Sequence, residues 1–197
     1  MPLTLRLATL ADVPAMLAIY TPYVQNTTVS FEYTPPSQQE FAQRLAAIQA
    51  EFAWLVCEVN GQIIGYAYAS RFGVRAGYGW ATELSVYIAA GQHGHGAGRA
   101  LYTALLAAVQ QQGYIYAYAR IATPNPESEG FHTRMGFVKE ATLQQVGYKL
   151  GRYVDMSYYK KQLLPSLPNP VFPLPFSQLK AEVLAQILQN STPTTGE

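Results

Sequence analysis

Glu83-Leu84-Ser85-Val86-Tyr87-Ile88, followed shortly by His93-Gly94-His95-Gly96-Ala97-Gly98-Arg99, decides how this chain is read. The first segment alternates as a strand does, placing Glu83, Ser85 and Tyr87 on one face and Leu84, Val86 and Ile88 on the other. The second is a glycine-rich turn that opens an amphipathic helix burying Leu101, Leu105, Ala108 and Val109 on one stripe. Backbone N–H groups at a helix start are unpaired and lie at the positive end of the helix dipole. Glycines let a phosphate group approach that backbone without a Cβ in the way. The order strand, turn, helix therefore places a candidate proton acceptor close to a candidate phosphate site.

Composition bounds what surrounds this unit. The 197 residues suit one domain with room for a small appendage. Apolar residues make up 49% and charged residues 13%, which excludes a disordered chain. That low charge, with fifteen tyrosines, points to apolar surface covered by a second subunit. A net charge of +1 gives no reason to propose nucleic acid or an anionic membrane as partner. Cys57 is the single cysteine and lies in the apolar run Phe52–Cys57, so it reads as a core side chain in a reducing, cytoplasmic setting. No segment reaches the ~18 apolar residues of a membrane span, and no signal peptide is apparent.

Working outward, Leu3 to Leu7 reads as a strand, and Thr9-Leu10-Ala11-Asp12 as a capping box before Val13, Met16, Leu17 and Tyr20 at helical spacing. Pro22 and Pro35-Pro36 bracket an expected loop. Ser37-Gln38-Gln39-Glu40 is a second capping box, with Phe41, Leu45 and Ile48 behind it. Asn60-Gly61 joins strands Phe52 to Val59 and Gln62 to Ser70, because a tight hairpin turn needs positive φ at both residues. Tyr114 to Ala122 alternates, with Tyr114, Tyr116, Tyr118 and Arg120 on one face. Asn125 to Met135 predicts a short helix ending at Gly136, and two strands follow over Phe137 to Val146 and Tyr153 to Tyr159. Prolines from 165 to 175 mark an extended segment, Ser177 to Leu188 a last helix, and Asn190 to Glu197 a frayed end. The expected class is α/β (α+β) with a mixed, mostly antiparallel sheet flanked by helices.

Each candidate has a plainer alternative. Glu83 is either functional or an ion-paired strand carboxylate. The turn is not a P-loop, since no Gly-Lys-Ser/Thr follows, and it lacks a full dinucleotide fingerprint. His93, His95 and His132 lack a supporting Cys or carboxylate cluster at metal-site spacing, so no metal is expected. The Tyr stripe reads as sheet packing, because no basic groove accompanies it.

The strand, turn and helix resemble the GNAT superfamily of N-acetyltransferases, whose signature Gln/Arg-x-x-Gly-x-Gly/Ala falls on His93 to Gly98, with His93 in place of Gln or Arg. Asn125-x-x-Ser128-x-x-Phe131-His132-x-x-x-Gly136-Phe137 resembles the second cofactor-side motif. Together with Glu83 to Ile88, Gln145 to Asp155 resembles the phosphinothricin N-acetyltransferase-like branch. The match covers roughly residues 3–162, so residues 1–162 are expected as a GNAT domain and 163–197 as a Pro-rich extension with a short helix.

The resemblance implies the GNAT fold, acetyl-CoA as cosubstrate, a small amino-acid-like primary amine as acceptor, direct transfer, and a homodimer. It implies Glu83 as general base, backbone N–H groups near Val86 and Ile88 holding the acetyl carbonyl, and Tyr87 also on the cofactor side. The turn His93, Gly94, His95, Gly96, Ala97, Gly98 and Arg99 would hold the pyrophosphate, with Asn125 and Ser128 on the pantetheine side. His132 stands where a residue protonates the departing thiolate, and a structural hydrogen bond competes with that role. Phe72, Arg75 and Tyr78 fall in the branch's acceptor loop, where Arg75 either grips a carboxylate or is a solvated loop charge. Two rivals remain: a silent acyl-CoA-binding sensor that would not need Glu83, and a protein or peptide N-acetyltransferase with an open cleft.

Overall fold

A computed structural model describes residues 3–192. Its elements are β1 (Thr4–Leu7), α1 (Val13–Asn26), α2 (Gln38–Gln49), β2 (Trp54–Val59), β3 (Gln62–Arg71), β4 (Ala81–Ile88), α3 (Ala97–Gln112), β5 (Tyr116–Thr123), α4 (Pro126–Arg134), β6 (Val138–Lys149), β7 (Arg152–Gln162) and α5 (Ala181–Ser191). The strands form one sheet in the order β1-β2-β3-β4-β5-β7-β6, with β4 and β5 parallel and the remaining neighbours antiparallel.

Strand alternation divides the core between the two faces. Trp54, Val56, Tyr66 and Tyr87 pack under α1 and α2. Leu55, Cys57, Ala67, Leu84 and Ala119 pack under α3, joined by Phe131 of α4 and by Ile187 and Leu188 of α5. Cys57 is fully buried, and desolvation pushes its thiol up to about 11, as befits a packing residue.

Local signals explain the element ends. At the start of α2, the Glu40 amide donates to Ser37 Oγ at 3.2 Å and the Ser37 amide donates to Glu40 Oε2 at 2.7 Å. Asn60 and Gly61 take φ of +51° and +75° in the β2–β3 turn. Gly136 follows α4 at φ +84°.

Three expectations change. Helix α1 continues through Pro22 to Asn26 instead of giving way to a loop. A proline removes only one helical N–H, the one that would reach Ala18 O, and further along the helix Thr21 Oγ1 donates to Leu17 O at 2.8 Å and Thr27 Oγ1 to Tyr23 O at 2.7 Å. Tyr114 leaves the Tyr stripe, because β5 starts at Tyr116, and instead stacks on Phe52 in the core with centroids 5.5 Å apart. The last helix starts at Ala181 after a 3-10 turn at Phe176–Gln178 and holds through Ser191. The expected fray over 193–197 lies outside the described residues.

The loop between α1 and α2 is tied to the β6–β7 hairpin. Phe31 lies against Gly147, where any Cβ would clash. The buried Lys149 ammonium donates to Ser30 O at 2.5 Å, and Tyr33 Oη donates to Tyr148 O.

Candidate active site

The glycine turn folds as its sequence demands. Gly91, Gly94 and Gly96 take φ of +77°, +82° and +85°, a region that side chains with Cβ rarely adopt. Nothing lies within 4 Å of a Cβ built on Gly94, and Leu3 Cδ1, 3.9 Å away, is the nearest atom at Gly96. The concavity is therefore open. Gly96 caps α3 without a side chain, so no side-chain oxygen occupies the first amides of the helix.

These amides face a groove of about 1530 Å³. Val86, Ile88, His93, Gly94 and Gly96 line it, as do Gly98, Arg99, Asn125 and Ser128. The structure thus brings together nine of the twelve residues expected on the cofactor side. The side chains of Tyr87, His95 and Ala97 lie elsewhere. Tyr87 alternates to the opposite face and packs on Tyr20, Tyr23 and Tyr66. His95 points to solvent, and Ala97 is a buried helix residue. Sequence reading missed Tyr23, whose Oη donates to Ile88 O at 2.7 Å and lies 3.3 Å from His93 Nε2. Its helical phase was hidden by the break expected at Pro22. His93 Nδ1 also lies 3.1 Å from Glu127 Oε1, so His93 reaches both walls of the groove.

The groove opens where β4 and β5 separate. Their pairing runs Ala81↔Tyr116, Thr82↔Ala117 and Glu83↔Tyr118, and then stops although β4 continues to Ile88. The Ala89 amide donates to Ile64 O at 2.8 Å, so odd-numbered β4 residues pair with β3. Alternation turns the N–H groups of Val86 and Ile88 toward the side that β5 has vacated.

Glu83 sits at the fork, 9% exposed, with Arg120 Nε 2.8 Å from its Oε2. Burial raises the pKa of the carboxyl above its ordinary value, and the Arg120 guanidinium pulls it part of the way back. A carboxylate so placed holds a proton more strongly than one in water. The ion pair that formed the plainer reading of Glu83 is present, made by Arg120 Nε to Glu83 Oε2.

His132 is 5% exposed and enclosed. Its Nδ1 lies 2.8 Å from Ser128 O and its Nε2 2.9 Å from Tyr102 Oη. The carbonyl can only accept, which assigns the ring proton to Nδ1 and makes Nε2 the acceptor from Tyr102. Desolvation lowers the His132 pKa and so favours this neutral ring. His132 does not line the groove, whereas its helix neighbours Ser128, Phe131 and Met135 do.

The expected acceptor loop splits. Phe72 packs at a tilt on Tyr118, the register partner of Glu83, with centroids 4.4 Å apart, and Tyr78 meets Phe72 edge-on at 5.7 Å. Arg75 and Tyr78 line a separate cavity of about 480 Å³, closed on one side by Phe172 to Pro175. Arg71 is tied to Glu51 at 2.6 and 2.8 Å. Phe72 is therefore brought toward Glu83, and Arg75 is not.

No group of three His, Cys, Asp or Glu residues able to hold a metal occurs among the described residues, and no helix there is long and apolar enough to cross a membrane.

Comparison with known proteins places this geometry. The family model for the acetyltransferase (GNAT) domain matches residues 5–158. A phosphinothricin N-acetyltransferase of Streptomyces viridochromogenes is 36% identical over 174 residues, 88% of this chain and 95% of that protein. An L-methionine sulfoximine/L-methionine sulfone acetyltransferase of Pseudomonas paraeruginosa is 34% identical, over 85% of this chain and 98% of that protein. The structure of a Sinorhizobium meliloti phosphinothricin acetyltransferase in complex with acetyl-CoA superposes with a TM-score of 0.79 at 33% identity, covering 82% of this chain and 89% of that one. The uncapped amides, the open glycine turn and the groove between parting strands suit a diphosphate-bearing thioester, and Arg99 and Arg134 lie on its wall. The chain belongs to the GNAT family and is an acetyl-CoA-dependent N-acetyltransferase.

Proposed function

We propose that the enzyme acetylates the primary amine of a small amino-acid-like acceptor, of the phosphinothricin or methionine sulfoximine kind, by direct transfer with Glu83 as general base. The observation that carries this reading is the position of Glu83 at the fork from which the cofactor groove opens. Acetyl-CoA supplies an activated acetyl group. An amine is nucleophilic only without its extra proton, so a base must take that proton before or during attack. Glu83 accepts it, and its raised pKa improves it as a base. The N–H groups of Val86 and Ile88, turned toward the gap, stabilise charge developing on the acetyl oxygen; as the adduct collapses the C–S bond breaks, and a second proton from the nitrogen leaves with the sulfur as the CoA thiol.

Phe72 and Tyr118 supply an apolar wall beside the base. His132 serves by position, since both ring nitrogens have partners inside the protein: it holds Tyr102 on α3 and the Asn125–Ser128 turn on α4 in register. Residues 1–162 form the catalytic unit and 163–197 an extension. A cytoplasmic homodimer completes the reading, and exposed Leu143, Val146, Tyr148, Leu150 and Tyr153 around the β6–β7 hairpin support the dimer.

The named acceptors of two relatives support the substrate class. The sensor alternative gives no role to a buried carboxylate at the fork, which favours the enzyme. An acetyl-CoA consumption screen over phosphinothricin, methionine sulfoximine, other amino acids, polyamines and peptides tests the acceptor. Turnover restricted to peptides would overturn the small-molecule reading.

A further inference from the structure

The extension after β7 is not spanned by the family match, and it does not run free. Hydrogen bonds along its length fix it to the catalytic unit, beginning with the Leu163 amide to Ile115 O at 2.8 Å and Tyr116 Oη with Ser166 Oγ at 2.7 Å. Trp80 Nε1 donates to Val171 O at 2.8 Å, the Leu174 amide to Gln112 O at 2.8 Å, Gln112 Nε2 to Leu174 O at 2.8 Å, and the Phe176 amide to Glu51 O at 2.9 Å. Beyond them α5 packs against α3 and β1. The proline content of the segment fixes φ at many positions, so little backbone freedom is lost when it docks.

Two features join this strap to loop 72–79. Phe172 stacks on Trp80, with centroids 4.4 Å apart and planes at 21°, and its ring lies where a Cβ on Gly79 would stand. On the other side of Gly79, Tyr78 contacts Phe72, which packs at a tilt on Tyr118, the register partner of Glu83. An unbroken series of ring contacts and adjacent residues thus runs from the strap to the fork. Independently, Glu51 holds both parts: its carbonyl accepts from the strap's Phe176 amide and from Gln112 Nε2, while its carboxylate grips Arg71, the residue preceding Phe72.

We infer that the C-terminal strap is a positioning device for the acceptor loop, with Phe172 as its contact residue. It holds Phe72 against Tyr118 before an amine arrives, so the acceptor does not bear the cost of ordering the loop. The loop is otherwise weakly held: Arg75, Ala76, Gly77 and Tyr78 are exposed, and its internal backbone bonds are the single 3-10 turn Tyr78 N to Arg75 O and Gly79 N to Ala76 O. Phe172 is 58% exposed, so removing its ring opens no cavity in the main core.

The inference rests on the acceptor assignment for its kinetic consequence but not for its structural one. The test is therefore twofold, on the full chain. In Phe172→Ala, hydrogen exchange at the Tyr78 and Gly79 amides should quicken by about tenfold or more, with exchange in β4 and α3 unchanged. The KM for the amine should rise by about threefold to thirtyfold, the range expected when a contact surface loses its preorganisation, with the KM for acetyl-CoA unaltered. Phe172→Tyr, which keeps the stack, should restore both. Unchanged exchange in Phe172→Ala would overturn the inference, as would an equal rise in both KM values. If the wild-type enzyme turns over no small amine, the acceptor reading falls, and the exchange result still decides whether the strap orders the loop.

Discussion

Arg120 Nε lies 2.8 Å from Glu83 Oε2 at the point where the parallel strands β4 and β5 stop pairing. The contact joins two tasks. It satisfies a carboxylate that would be costly to bury alone, and it sets how strongly that carboxylate attracts a proton. Burial raises the Glu83 pKa, Arg120 lowers it, and burial is the larger influence.

Replacing Arg120 should shift the balance in a direction that can be read kinetically. In Arg120→Gln, burial acts unopposed, so Glu83 stays protonated to higher pH. The acidic limb of the kcat/KM profile should move upward, with activity lost first at the acid end and largely regained at alkaline pH. A downward move, or a uniform loss at every pH, would assign Arg120 a different role.

Gly96→Val should weaken acetyl-CoA binding by at least tenfold, measured by calorimetry. The residue sits at φ +85°, where a β-branched side chain costs about 1–3 kcal/mol and the turn must rearrange. Because the space beside Gly96 is open, the protein should still fold. Normal affinity would contradict the assignment of the turn to the diphosphate.

His132 gives the fold a pH dependence. Its folded-state pKa is lowered below the ordinary 6.5 because burial disfavours the imidazolium. The unfolded chain therefore binds the proton more readily. His132 contributes no penalty above pH 6.5, and stability falls as pH drops from there through the folded pKa. Denaturation of wild type and His132→Phe across that range should show a shallower acid slope in the variant, whatever its absolute stability. Parallel slopes would mean that other groups carry the effect.

Asp12 acts at a lower pH. Arg6 Nη1 lies 2.7 Å from its Oδ2, and the Thr9 amide also donates to it, which holds its pKa at about 2. The stabilisation is complete above the ordinary value of 3.8 and is lost as pH falls through about 2. Asp12→Asn should cost about 1–3 kcal/mol at neutral pH and close on wild type in strong acid. A constant difference down to pH ~2 would break the linkage.

Much of this arrangement was legible in the sequence because it is local. Alternation from Glu83 to Ile88, glycines that need positive φ, the Ser37–Glu40 box and the Asn60-Gly61 turn each specify structure within a few residues. What escaped is set by distant partners. Nothing near Pro22 shows that α1 continues to bring Tyr23 over the groove, since that depends on packing against Tyr87. The bond between Tyr102 and His132 joins helices thirty residues apart. The motif match put Arg75 in the acceptor loop, and the cavity it shares with residues 172 to 175, outside the match, has no local signal.

The most direct measurement is acetyl transfer by Glu83→Gln with acetyl-CoA affinity determined on the same sample. Turnover of an accepted amine should fall by about 10²–10⁴-fold while the dissociation constant for acetyl-CoA stays within about twofold of wild type, because Glu83 does not line the groove. Turnover near the wild-type rate would remove the carboxylate from the reaction and contradict the account.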